Sequence, residues 1–175
     1  MGLPVVGKAH EATKQGAPFH WFIYGSSLDR EAFAAWAKEH GYRVPDFAGA
    51  VPARLLGYRL SFDVRSKFWG GAVASLTPDT TASVEGIALP MPGDARGLVD
   101  HKEGAISGLF TALEVTVTPL AGGAPIRALA YRAADDRRLP AEETPSVTFV
   151  ETIVKGGRAF GLSDDYLASL RKRLH

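Results

Sequence analysis

At 175 residues, the chain is long enough for one buried core and too short for two comfortable domains. Its 20 lysines and arginines nearly balance 19 aspartates and glutamates, leaving a formal charge of +1. No electrostatic footprint therefore points to nucleic acid or an anionic membrane, and a small ligand is the expected partner. The absence of cysteine excludes disulfides, a thiolate nucleophile and a cysteine-based zinc site, so the chemistry must come from oxygen and nitrogen groups.

Residues 1–18 mix Gly, Pro, Lys, Glu and His without periodicity and read as a tail or arm in which His10 is solvated, with 19–175 forming one domain. Val6 stands where a myristoylation motif needs Ser or Thr, and no apolar run is long enough for a bilayer span or a signal h-region, so a cytoplasmic protein is expected. Trp21-Phe22-Ile23-Tyr24 reads as a buried strand running into Gly25-Ser26-Ser27-Leu28, after which a helix starts at Asp29. Such a junction leaves main-chain N–H groups free, and its glycine admits a ligand close to the backbone; by itself it is also an ordinary strand-to-helix turn. The helix to His40 places Phe33, Trp36, Ala37 and His40 on one face, with Gly41 as its cap and His40 as a helix-end residue.

From Ala53 to Phe62 the alternation of Leu56, Tyr58, Leu60 and Phe62 predicts a strand. Ala72–Leu76 and Ala82–Leu89 predict two more, divided by the turn Thr77-Pro78-Asp79, with Glu85 facing solvent. A loop from Pro90 becomes a short helix that reaches Glu103 and ends at Gly104, Asp100 capping its start and His101 exposed. Leu109–Pro119 and Arg127–Ala133 read as a hairpin around Ala121–Pro125. Ser146 caps a helix from Val147 to Lys155, which Gly156-Gly157 terminates, and Ser163 opens a last helix with Leu167, Leu170 and Leu174 on one side. Antiparallel-looking strand pairs with inserted helices argue for an α+β fold around a curled or closed sheet rather than a doubly wound one.

Tyr24-Gly-Ser-Ser-Leu28, the strand Arg54–Phe62, Trp69-Gly-Gly-Ala-Val-Ala, the strand with Val84-Glu-Gly86, Val99-Asp-His-Lys-Glu-Gly104 and Gly161-Leu-Ser-Asp-Asp-Tyr166 occur in one order. That ordered set, covering Trp21 to Leu170, resembles the γ-glutamylcyclotransferase family. The resemblance implies a mixed α/β fold on a small β-barrel surrounded by helices, release of 5-oxoproline from γ-glutamyl compounds, and neither metal nor other cofactor. It implies that the turn from Tyr24 through the backbone of Gly25, Ser26, Ser27 and Leu28 holds the γ-glutamyl group and that Glu103 is the acid/base. Phe110, seven residues beyond the acid, and Tyr131, mid-strand, join the substrate-binding set; by residue type alone, Tyr24, Tyr131, Phe22, Trp36 and Trp69 also read as core. The partner implied is a small γ-glutamyl substrate rather than nucleic acid or membrane, for a monomer or homodimer. Two departures stand out: Ser27 replaces an asparagine frequent in the family, and Phe110 a frequent tyrosine.

The chemistry suits such residues. The substrate's α-amine attacks its own γ-carbonyl, so the reactants are tethered and no protein nucleophile is needed. One carboxylate can deprotonate the ammonium and then protonate the leaving amine, provided an apolar setting such as Ile106, Leu109 and Phe110 raises its pKa. Taken alone, Glu103 reads as a surface acid ahead of a catalytic one, and the ordered set reverses that preference. Asp100-His101-Lys102-Glu103 superficially offers metal ligands but has no second cluster beside it. A serine hydrolase through Ser26 or Ser27 lacks the Gly-x-Ser-x-Gly elbow. The alternative from another class is a non-catalytic γ-glutamyl-binding or regulatory module that keeps the fold.

Overall fold

The computed structural model describes residues 16–175; residues 1–15 of the expected arm, His10 among them, lie outside the described residues. Its strands are β1 (Phe19–Ile23), β2 (Val51–Ser66), β3 (Gly71–Met91), β4 (Phe110–Pro119) and β5 (Ile126–Ala133). They close into a barrel in the order β1-β3-β2-β4-β5, with β5 returning to β1 through a parallel pairing at Trp21↔Leu129 and the other neighbours antiparallel. The helices are α1 (Arg30–Glu39), α2 (Arg96–Lys102), α3 (Val147–Phe160) and α4 (Asp164–Lys172). The expected α+β barrel is therefore the fold.

Strand alternation is real but is reset inside β2. Ala53 and Leu55 are buried before Gly57, and Leu60, Phe62 and Val64 after it, while Leu56 is 66% exposed instead of sharing the face of Leu60 and Phe62. Gly57 takes φ +83°, a conformation that costs glycine little, and the register shifts between Leu56 and Tyr58. Opposite it, β3 accommodates Asp79–Ala82 between the pairs Tyr58↔Pro78 and Leu56↔Ser83. Asp79 accepts there from the Thr81 amide at 2.9 Å and its hydroxyl at 2.7 Å. The turn chemistry around Pro78 thus produces a large bulge within one long strand, not a break between two.

The helices begin where short polar side chains satisfy free amides. Asp29 accepts from Ala32 N at 3.3 Å, Ser146 from Phe149 N at 3.2 Å and Ser163 from Tyr166 N at 3.3 Å, caps of the kind worth about 1 kcal/mol each. The end of α3 differs from expectation: the helix runs through Gly156 and Gly157 to Phe160 and ends at Gly161, φ +86°. These two glycines serve packing. A Cβ at Gly156 would lie 2.4 Å from the carbonyl of Leu28, so only glycine lets α3 press on the turn after β1.

Glu85 also departs from expectation, being 3% exposed and held inside. Its Oε1 accepts from the Ser163 amide at 2.9 Å, and its Oε2 from the Ser163 hydroxyl at 2.7 Å and Arg54 Nη2 at 3.2 Å. Mid-strand position alone could not reveal this, because the covering group is the cap of a helix about eighty residues later. Glu85 fastens the α3–α4 corner to the barrel.

Candidate active site

Trp21, Phe22 and Ile23 of β1 are all buried, and the chain then leaves the sheet at Tyr24 and Gly25 and makes a 3₁₀ turn over Ser26–Leu28. Leu28, 1% exposed, anchors the turn by burying a side chain worth roughly 1.5–3 kcal/mol. Two glycines from distant elements hold the turn between them. A Cβ at Gly86 would fall 2.2 Å from the Ile23 carbonyl, and Gly156 meets Leu28 as described. The Leu28 amide donates to the Gly25 carbonyl at 3.1 Å, whereas the amides of Ser26 and Ser27 have no main-chain partner among the described residues. The amide of Leu28 is thus engaged within its own turn, while those of Gly25, Ser26 and Ser27 are not.

This turn forms one wall of a cavity of about 410 Å³, a size suited to a small ligand. Tyr24, Gly25, Ser26, Ser27, Glu103 and Phe110 all line it, so the structure brings together most of the residues singled out in the sequence. Leu28 and Tyr131 lie outside the lining. Tyr131 instead donates its hydroxyl to Asp100 Oδ1 and accepts the Tyr24 hydroxyl on its main-chain carbonyl. Burial and that carboxylate raise the Tyr131 pKa, and burial raises that of Tyr24, so both phenols stay neutral.

Glu103 follows the last turn of α2, where Gly104 at φ +73° turns the chain away toward β4. Its Oε1 accepts from Trp21 Nε1 at 3.1 Å, and no other hydrogen bond reaches the carboxyl among the described residues. Burial pushes its pKa up to about 7, against the opposing pull of the Lys102 ammonium and the Trp21 N–H. Burial in turn lowers the pKa of Lys102, whose Nζ lies 5.3 Å from the Trp36 ring centre. Glu103 is thus a buried carboxyl that exchanges a proton near neutrality, in the same cavity as the Tyr24–Ser27 turn.

Several residues of the site were not singled out in the sequence. Trp21 lies behind the lining and reaches it only through Glu103, although an indole N–H in a fully buried strand needs an acceptor and was a usable signal. Arg65, Ser66 and Lys67 are others, brought in by the β2–β3 turn; Trp69, quoted in a motif and read as core, lines the cavity too and packs edge-on against Phe149, which also lines it, with centroids 5.2 Å apart. Asp100 is no helix-start cap: it sits in the last turn of α2 and accepts from Arg96 Nε at 3.0 Å as well as from Tyr131. His101 is half-buried, its Nδ1 2.9 Å from the Tyr42 hydroxyl. Among the described residues, no group of three or more His, Asp or Glu is placed to hold a metal. Nor is any helix among them long and apolar enough to cross a membrane.

The model of the AIG2-like family matches residues 83–170. The chain belongs to that family. This AIG2-like chain is 26% identical over 162 residues to a γ-glutamylcyclotransferase of Bos taurus, with 90% of this chain and 80% of that one covered. The Homo sapiens protein of the same name is 27% identical over 157 residues, covering 87% of this chain and 77% of that one. Among solved structures, one of a gamma-glutamyl cyclotransferase superposes with a TM-score of 0.70 at 24% identity, covering 89% of this chain and 87% of that one. YkqA from Bacillus subtilis gives 0.77 at 24% identity over 95% of this chain and 58% of that one. These structural likenesses bear out the γ-glutamylcyclotransferase-like fold expected of this AIG2-like chain.

Proposed function

We propose that this protein releases 5-oxoproline from γ-glutamyl amino acids or γ-glutamyl amines, with Glu103 as the acid/base. The observation that carries this reading is the carboxyl of Glu103 in the same cavity as the Tyr24–Ser27 turn, with its pKa raised to about 7. The substrate α-ammonium is a weaker acid than either form of the glutamate, and raising the carboxyl from an ordinary 4.5 to about 7 makes the uphill proton transfer easier by about 3.4 kcal/mol. The amine then attacks the γ-carbonyl, closing a five-membered ring. Amides of Ser26 and Ser27 face the developing oxyanion, and protonated Glu103 returns its proton to the nitrogen that leaves. Ring closure is intramolecular, so the protein need only fold the substrate and relay protons. The attacking nitrogen sheds one before and one after it bonds to carbon, and the leaving amine takes up two to depart as an ammonium ion.

Incubation of the purified protein with γ-glutamyl amino acids, γ-glutamyl amines and glutathione, followed by measurement of 5-oxoproline, tests the reading. Release from at least one of them is expected. Saturable binding of these compounds without any release would replace it with the non-catalytic binding module.

A further inference from the structure

The cavity is graded from inside to outside. Tyr24 and Ser27 are buried at one end, 6% and 7% exposed, whereas Arg65, Lys67 and Phe68 at the β2–β3 turn are exposed. If the γ-glutamyl group occupies the buried end, the part of the substrate beyond the scissile bond must run outward past that turn. The turn is a fixed structure: Ser66 accepts the Gly70 amide on its carbonyl at 3.1 Å and the Trp69 amide on its hydroxyl at 3.3 Å. Trp69 is held against Phe149 and Phe68, and Gly71 lies so near the Ser146 amide that a Cβ there would approach to 3.0 Å.

Charge at this end is one-sided. Arg65 and Lys67 both line the cavity. Arg65 meets Glu143 at 2.6 Å through Nη2 alone, in a pair exposed on both sides, which leaves its other N–H groups for a ligand. Lys67 has no ion pair among the described residues. The remaining cation of the lining, Lys102, is chain neighbour to Glu103 at the inner wall and stacks its ammonium over Trp36.

Resting on the cyclotransferase reading, we propose that Arg65 and Lys67 are specificity-determining residues that bind a carboxylate on the leaving group. The enzyme accordingly selects γ-glutamyl amino acids and peptides over neutral γ-glutamyl amines and disfavours amines carrying a second positive charge. Because the contact is remote from the reacting atoms and made equally before and during ring closure, its effect falls on KM rather than kcat.

γ-Glutamyl-alanine and γ-glutamyl-ethylamine differ only by that carboxylate, and kcat and KM for 5-oxoproline release from each give a direct test. Wild type should favour the alanine compound about tenfold in kcat/KM, as expected of two partly exposed ion pairs. Arg65→Ala and Lys67→Ala should each lower the preference about threefold, and the double variant should bring it close to one. Lys67→Glu should raise kcat/KM for the γ-glutamyl monoamide of ethylenediamine, a gain that damage to the fold could not produce. Equal efficiency of wild type on the alanine and ethylamine compounds would overturn the inference while leaving the cyclotransferase reading in place. Equal losses on both compounds in the variants would do the same, by showing that these cations read the γ-glutamyl end. No release from any compound would overturn both.

Discussion

Glu85 and Glu103 are both drawn out of water, and their surroundings suit them to opposite roles. Glu85 receives three hydrogen bonds, from the amide and hydroxyl of Ser163 and from Arg54, and they tie it to the start of α4 and to β2. Glu103 receives one, from Trp21, and opens onto a cavity, so its proton is easily gained and lost near pH 7. Burial alone thus does not make a buried acid reactive. A carboxylate with its lone pairs filled joins parts of the fold, whereas one left short of donors is free for chemistry.

Substituting the two residues puts this contrast to the test. Glu103→Gln should lower kcat by about two to four orders of magnitude with the fold intact, because an amide cannot shuttle the proton; near-full activity in the folded variant would end the distinction. Its stability has a definite sign as well. The folded-state pKa of about 7 lies above the 4.5 of an ordinary glutamate, so the native protein binds the proton more tightly between those limits. Wild type should therefore lose stability relative to Glu103→Gln as pH rises from about 4.5 to about 7, by on the order of 1–3 kcal/mol.

Glu85→Ala should act in the other way, lowering unfolding stability by about 2–4 kcal/mol by stranding the Ser163 donors, while the acidic limb of the pH–rate profile stays in place. Denaturant melts and a pH series on the same sample separate the two effects. Gly156→Ala tests whether the turn beside Glu103 depends on the close approach of α3: overpacking should cost about 1–3 kcal/mol and raise KM. Phe110→Tyr sharpens the role of donor count at Glu103 itself. A hydroxyl donor reaching the carboxylate would favour its charged form, so the acidic limb, expected near pH 7 in the wild type, should move down; coincident limbs would show that residue 110 does not address the acid. Ser26→Ala should have the smallest effect, leaving activity within a few-fold, because the turn acts through main-chain amides. Abolished turnover with a trapped acyl-serine would instead favour a hydrolase.

Much of this site was legible in the chain because its parts are local. The junction from Tyr24 to Ser27 is a strand end followed by glycine and a capped helix, and Glu103 lies one residue before a glycine that must turn, so both carry their geometry in adjacent residues. What was illegible is set by contacts between distant elements. A glycine pair inside a helix reads as a stop, and only the crossing of α3 over Leu28 shows why Gly156 is small. The alternation of Leu56 with Leu60 was sound on each side of Gly57, but a single positive φ inverted its phase. Arg65 and Lys67 have no spacing relative to Glu103 that could announce them, since the barrel's curvature brings them there. Glu85 was misplaced for the same reason: its partners arrive from α4.

The barrel is closed unevenly. Strands β4 and β5 share eight registered pairs with each other, but β4 meets β2 through two, at Ala53↔Pro119 and Arg54↔Thr118, and β5 meets β1 through one. In native-state amide exchange such a ribbon is expected to open as a unit along these two thin seams before the long β2–β3 ribbon yields. Because β4 begins at Phe110, opening of that unit would loosen a wall of the cavity, and amide exchange should be faster in β4 and β5 than in β2 and β3.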